Sequence, residues 1–148
     1  MDMATAALRP ATHDDSQFAF DAKKAALGEY IGQTFGWDED EQWRLHERRF
    51  CPSATRIIVS AGEDVGLVTV RREEGLLRLL QLFVLPEAQG QGIGSQVLAQ
   101  VLDEARRAHH PVALRVLKSN PRAKAFYQRH GFAAVGETQT HHLMELIA

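Results

Sequence analysis

The stretch from Leu82 to Ser95, LFVLPEAQGQGIGS, constrains this chain more than any other. A β-branched and aromatic run ends at Pro86, a turn carries Gly90, Gly92 and Gly94, and a helix begins with no linker between. Ile93, Val97, Leu98, Val101, Leu102 and Ala105 recur at helical spacing, so that helix presents one apolar stripe to a sheet. The first backbone N–H groups of a helix have no partner within it. They point at one spot, and together with the helix dipole they make it a site for an anion such as phosphate. Glycines there remove the Cβ atoms that would keep a ligand away and allow positive φ.

The flanking sequence supplies the other elements. Residues 5 to 9 read as a short first strand, and Thr12, Asp14 and Asp15 offer caps for a helix running towards Thr34. WDEDEQWRLHERRF reads as a second helix, acidic in its first turn and basic at its end, as the dipole favours. RIIVS, VGLVTVRRE and LLRLLQLFVL are three strands separated by turns at AGED and Glu74-Gly75, an antiparallel meander. After the glycine-started helix, which Pro111 ends at the latest, come a buried strand VALRVL and a short helix from Asn120 to His130. FAAVGE and HHLMELIA make a closing pair of strands. No repeat, low-complexity segment or linker interrupts 1–148, which reads as a single domain of mixed α/β (α+β) class.

Spacing separates the kinds of phosphate loop. A Walker loop needs Gly-Lys-Ser/Thr, and a dinucleotide fingerprint needs Gly or Ala where Ser95 stands; neither fits. The arrangement Gln89-x-x-Gly92-x-Gly94 preceded by Phe83-Val84-x-Pro86 resembles the coenzyme A pyrophosphate loop of the GNAT N-acetyltransferase superfamily. Asn120-Pro121-Arg122-Ala123-Lys124-Ala125-Phe126-Tyr127, followed by Gly131-Phe132, resembles the second signature of the same superfamily, 26 residues beyond Gly94.

The resemblance implies a mostly antiparallel sheet of about six or seven strands, splayed between the fourth and fifth, with about four helices. It implies acetyl-CoA as cofactor and acetyl transfer to an amine. Carried over residue by residue, it assigns the backbone of Phe83 and Val84 to the acetyl and pantetheine portion. It gives Gln89, Gly90, Gln91, Gly92, Ile93, Gly94 and Ser95 to the pyrophosphate. Asn120, Arg122, Ala123 and Phe126 line the pantetheine arm, and Tyr127 sits at the sulfur.

Acetyl transfer from a thioester needs an unprotonated amine, a donor for the developing oxyanion and a proton for the thiolate. A backbone N–H of Phe83 or Val84 can polarise the carbonyl, and Tyr127, with an unperturbed pKa of about 10, can donate to sulfur. The strand leading into the loop carries no carboxylate, so the base is left open between a water chain held by Gln81, a group from the N-terminal helices, and His142 or its neighbour His141. Tyr30, Phe35, Trp37 and Asp38 lie at the junction of the first two helices and form the expected acceptor wall, aromatic and acidic as suits a cationic amine.

Lys plus Arg number 17 against 19 Asp plus Glu, so no broad cationic field exists to hold nucleic acid. One cysteine, Cys51, allows no internal disulfide and no cysteine-based zinc site, and adjacent histidines at 109–110 and 141–142 point in different directions; no metal is expected. Without a signal-like start or a run of about 18 apolar residues, the expected setting is the cytoplasm, with no membrane partner. The expected partner is a small-molecule amine or a peptide, with a homodimer left open. The competing function is a non-catalytic acyl-CoA-binding sensor that kept the loop but lost turnover.

Overall fold

The computed structural model describes residues 5–147. Its elements are β1 (Ala7–Pro10), α1 (Ser16–Phe35), α2 (Glu39–Arg49), β2 (Thr55–Ser60), β3 (Glu63–Glu73), β4 (Leu76–Val84), α3 (Ile93–Ala108), β5 (Val112–Leu117), α4 (Pro121–Arg129), β6 (Ala133–Glu137) and β7 (His141–Leu146). The seven strands form one sheet in the order β1-β2-β3-β4-β5-β7-β6. Every pairing is antiparallel except β4 with β5. The meander over β2 to β4 and the four main helices agree with the sequence reading; β1 begins two residues later than expected and β3 two residues earlier.

Local chemistry accounts for the boundaries. Asp38 caps α2 by accepting the Glu41 N–H at 3.0 Å, and Asn120 caps α4 by accepting that of Ala123 at 3.2 Å. Ahead of α1, Thr12 N–H donates to Asp15 Oδ2 at 2.8 Å while both Asp15 oxygens hold the Arg9 guanidinium, at 2.8 and 3.0 Å.

Two apolar layers sandwich the sheet. On one face the α3 stripe of Ile93, Val97, Leu98, Val101 and Ala105 is almost wholly buried against Ile58, Val68, Leu77, Leu79, Val112, Leu114, Val116 and Met144, with Tyr127 and Phe132. Each such aliphatic side chain contributes about 1.5–3 kcal/mol. On the other face Ala19 and Ala22 of α1 pack on Ile57, Leu67 and Phe83.

One irregularity in β4 shapes everything that follows. Thr69 pairs with Gln81 but Val70 pairs with Leu79, so Leu80 is an extra residue, a bulge. Leu77 and Leu79 face α3, whereas beyond the bulge Phe83 faces α1. Gln81 shares the α1 face with Phe83, because side chains alternate from there on.

Candidate active site

β4 and β5 pair through only two couples, Leu77 with Val112 and Arg78 with Ala113. Past them the strands part, and a gap opens beside Gln81 to Val84. Which backbone groups line it follows from the β3–β4 ladder. Leu85 donates its N–H to Val65 at 2.8 Å, and hydrogen-bonded pairs recur every second residue, so Phe83 directs its N–H and C=O to β3. Leu82 and Val84 direct theirs into the gap. Two contacts agree: a Cβ on Gly66 of β3 would collide with the Phe83 carbonyl oxygen, and Gln89 Nε2 donates to the Val84 carbonyl at 2.8 Å.

The gap ends at the glycine turn. Gly90 has φ 78°, and Gly92, at φ 80° and ψ 6°, is the left-handed residue that starts α3. No side chain caps that helix, and its first internal bond runs from the Gln96 N–H to Gly92 at 3.1 Å. The amides of Ile93, Gly94 and Ser95 in the first turn therefore have no helical partner. Gly94 is not conformationally special: a Cβ there would stand 3.6 Å from Phe126 and 4.0 Å from Val84, ordinary contact distances. That measurement also shows β4, α3 and α4 converging at one point.

The turn is narrower than the sequence reading had it. Gln89 commits its N–H to Pro86 at 3.2 Å and its side chain to Val84, leaving the amides from Gly90 to Ser95 for a ligand. Ser95 Oγ lies 3.1 Å from His130 Nε2, tying α3 to α4, and the Gln91 side chain reaches back to Glu87 at 3.5 Å. A turn with left-handed glycines and an uncapped helix start fits a pyrophosphate.

From α4 come Asn120 and Tyr127, 8% and 9% exposed. The Asn120 oxygen is used by its cap, and among the described residues neither its NH2 group nor the Tyr127 hydroxyl has a hydrogen-bond partner. No fully enclosed side-chain nitrogen or oxygen among those residues lacks a partner either, so both groups reach open space. Burial of the ring pushes the Tyr127 phenol well above its usual range and keeps it protonated. Ala123 and Phe126 are half-buried beside them, and Arg122 is exposed.

The remaining expectations need correction. The Phe83 amide is turned to β3 and its side chain is buried under α1, so the groups facing the gap belong to Leu82 and Val84. The acceptor wall is not one wall. Trp37 donates Nε1–H to Glu39 at 2.8 Å and packs near Phe20, Lys24 and Gly28, one stripe of α1. Tyr30 lies about 200° round the helix from Gly28, and its carbonyl accepts the Ser119 hydroxyl at 2.9 Å next to Asn120. Phe35 is 61% exposed. Of the two β7 histidines, His142 shares a face with buried Met144 and lies 3.9 Å from Glu137, whereas His141 is on the α1 face. Burial and nearby Arg115, also on that face, lower the His141 pKa. Nothing in the residue types revealed which histidine lies on the α1 face; the register did.

A groove of about 330 Å³ between α1 and α2, lined by Phe20, Trp43 and Arg44 among others, shares no residue with this region. It lacks the backbone donors that the glycine turn offers. Among the described residues no helix is long and apolar enough to cross a membrane.

Residues 39–147 match the family model described as Acetyltransferase (GNAT) domain. Over 79 residues the chain is 38% identical to the 5-NmdU N-acetyltransferase of Pseudomonas phage PaMx11, a match covering 52% of this chain and 55% of the relative, so it spans about half that relative's length. PaiA N-acetyltransferase from Thermoplasma acidophilum, solved in complex with coenzyme A, superposes with TM-score 0.80 at 13% identity over 97% of this chain and 99% of that one. The ribosomal-protein-S18-alanine N-acetyltransferase of Escherichia coli does so with TM-score 0.71 at 18% identity, over 97% and 95%. At such identities the two structures speak for the fold, and the family model speaks for descent. This chain belongs to the GNAT acetyltransferase family, whose members use acetyl-CoA.

Proposed function

We propose that this chain is an acetyl-CoA-dependent N-acetyltransferase that passes the acetyl group directly to a primary amine of a small molecule or peptide. The observation that carries the reading is the two-couple pairing of β4 with β5. It leaves the Leu82 and Val84 backbone beside the uncapped start of α3, and the polar ends of Asn120 and Tyr127, not enclosed, supply the remaining groups in this reading.

Acetyl-CoA, when bound, supplies an acetyl group activated as a thioester. The amides from Gly90 to Ser95 hold its pyrophosphate. A helix dipole alone contributes about 0.3–1 kcal/mol, whereas each hydrogen bond to a charged group contributes about 1.5–3, so the turn's amides dominate. The Leu82 and Val84 groups pair with the pantetheine arm as an added strand would, and Asn120 Nδ2 donates to the same arm. The Val84 N–H polarises the acetyl carbonyl. Tyr127, kept protonated by burial, donates to the sulfur as it leaves.

The acceptor enters on the α1 face, where Gln81, His141 and the Tyr30–Ser119 contact lie. β4 carries no carboxylate, so the amine loses its proton to water or to His141, whose lowered pKa leaves the ring unprotonated and able to accept, though as a weaker base. The relatives' names speak of a modified nucleoside and of a protein's alanine, two amines of unlike size. A lone exposed cysteine suits a reducing interior such as the cytoplasm.

The test is turnover of acetyl-CoA with three amines: 5-NmdU, a tripeptide beginning with alanine, and butylamine, read as release of free thiol. Amine-dependent release supports the proposal. Acetyl-CoA binding without release under any of the three would favour the non-catalytic sensor instead.

A further inference from the structure

Thr55 on β2, Thr69 on β3 and Gln81 on β4 are cross-strand partners in one row. They lie on the α1 face of the sheet. Thr55 is 3% and Thr69 6% exposed. The row starts at the Cys51 carbonyl, 2.8 Å from Thr55 Oγ1; the two threonine oxygens are 3.0 Å apart, and Thr69 Oγ1 is 3.3 Å from the Gln81 amide atom placed as Oε1. Gln81 itself stands where β4 has already left β5.

Counting hydrogens orients the row. Each threonine hydroxyl has one. A carbonyl cannot donate, so the 2.8 Å contact takes the hydrogen of Thr55. The 3.0 Å contact then takes that of Thr69. None is left for the longer third contact, which is met once the Gln81 amide is turned to bring its NH2 group to Thr69. Its length agrees, since 3.3 Å is outside the usual 2.5–3.0 Å of O–H···O and only just beyond the 2.7–3.2 Å of N–H···O. Oxygen and nitrogen of a side-chain amide exchange places by a half-turn that leaves its shape unchanged.

We infer that Gln81 gives its Nε2 to Thr69, turns Oε1 to the open side of β4, and there receives an N–H of the acceptor amine. The acceptor half of this inference rests on the N-acetyltransferase reading; the orientation of the amide does not. The outward end of Gln81 has no other hydrogen bond among the described residues and is not enclosed. An oxygen there attracts an amine or ammonium N–H, whereas an NH2 would repel it. Binding through N–H also leaves the nitrogen lone pair free to face the thioester. Thr55 and Thr69 are positioning residues: they touch no substrate, and they set which atom Gln81 shows to it.

Two measurements test this. In the ligand-free protein, NMR should show through-space contacts between the Gln81 side-chain NH2 protons and the Thr69 side chain, weakened in Thr55→Val, which releases the Thr69 hydrogen towards Gln81. In turnover with 5-NmdU, the alanine tripeptide and butylamine, Thr55→Val and Thr69→Val should each raise the acceptor KM about 10-fold, the size of one hydrogen bond. Acetyl-CoA affinity should hold, and Thr69→Ser should keep the wild-type KM. Absence of the NH2 contacts in wild type would overturn the orientation even if a valine variant failed to fold. An unchanged acceptor KM in folded Thr55→Val would overturn the relay. Failure of all three amines with wild type would overturn the acetyltransferase reading and the acceptor role with it, while the NMR contacts would still decide the orientation.

Discussion

Gly66 on β3 lies opposite Val84 and so close to the preceding Phe83 that a Cβ on residue 66 would collide with the Phe83 carbonyl oxygen and stand 3.0 Å from its carbon and 3.1 Å from the Val84 Cα. The neighbours are backbone, which cannot swing aside. Gly66→Ala should therefore push β4 away from β3 and into the gap, at an overpacking cost of at least about 1–3 kcal/mol. Thermal unfolding should show a lowered Tm, and calorimetry a loss of acetyl-CoA affinity beyond that of an equally destabilised core variant such as Val101→Ala.

The glycine turn makes the opposite prediction, a loss of binding with the fold kept. Gly92 is left-handed, at φ 80° and ψ 6°. Gly92→Val meets a backbone cost of about 1–2 kcal/mol and sets a branched side chain among the amides that hold the pyrophosphate. Calorimetry should find no acetyl-CoA binding in a protein whose circular dichroism is unchanged. Undiminished affinity would move the pyrophosphate elsewhere.

Acid should act through Asp15. Its carboxylate holds Arg9 with both oxygens and accepts the Thr12 N–H, which lowers its pKa below the unfolded value of about 3.9. A depressed carboxylate contributes stability that is present above the unfolded pKa and lost as pH falls through the folded one. Stability should decline below about pH 4, and Asp15→Asn should flatten that decline in urea titrations at pH 2 to 7. Equal slopes in the two proteins would assign acid sensitivity to other groups.

Much of this was legible in the residues themselves. The glycines, the Ile93–Ala105 stripe and the Asn120–Tyr127 segment pointed to loop, helix and cap, because each is a local pattern with a local cause. The bulge at Leu80 was not legible. Without it, strict alternation places Gln81 with Leu77 and Leu79 in the α3 core; with it, Gln81 turns to the α1 face. Phe83 was misassigned for a related reason, since the direction of a backbone amide depends on the pairing of Leu85 with Val65 and leaves no mark in side-chain types. Trp37 and Tyr30 are near in sequence, but Trp37 packs on the α1 stripe with Phe20 while Tyr30 lies on another, which only the docking of α2 on that stripe decides.

In the proposed reaction Tyr127 stands at the leaving sulfur. The rate of amine-dependent thiol release at saturating acetyl-CoA, compared between wild type and Tyr127→Phe from pH 6 to 10, tests this most directly, provided chemistry limits turnover. Phenylalanine keeps the ring packing and removes only the hydroxyl, so acetyl-CoA affinity should hold while kcat falls roughly 10²-fold. Because burial raises the phenol's pKa, the wild-type rate should show no falling limb from Tyr127 ionisation up to pH 10. An unchanged kcat in the folded variant would make Tyr127 a packing residue and contradict the mechanism.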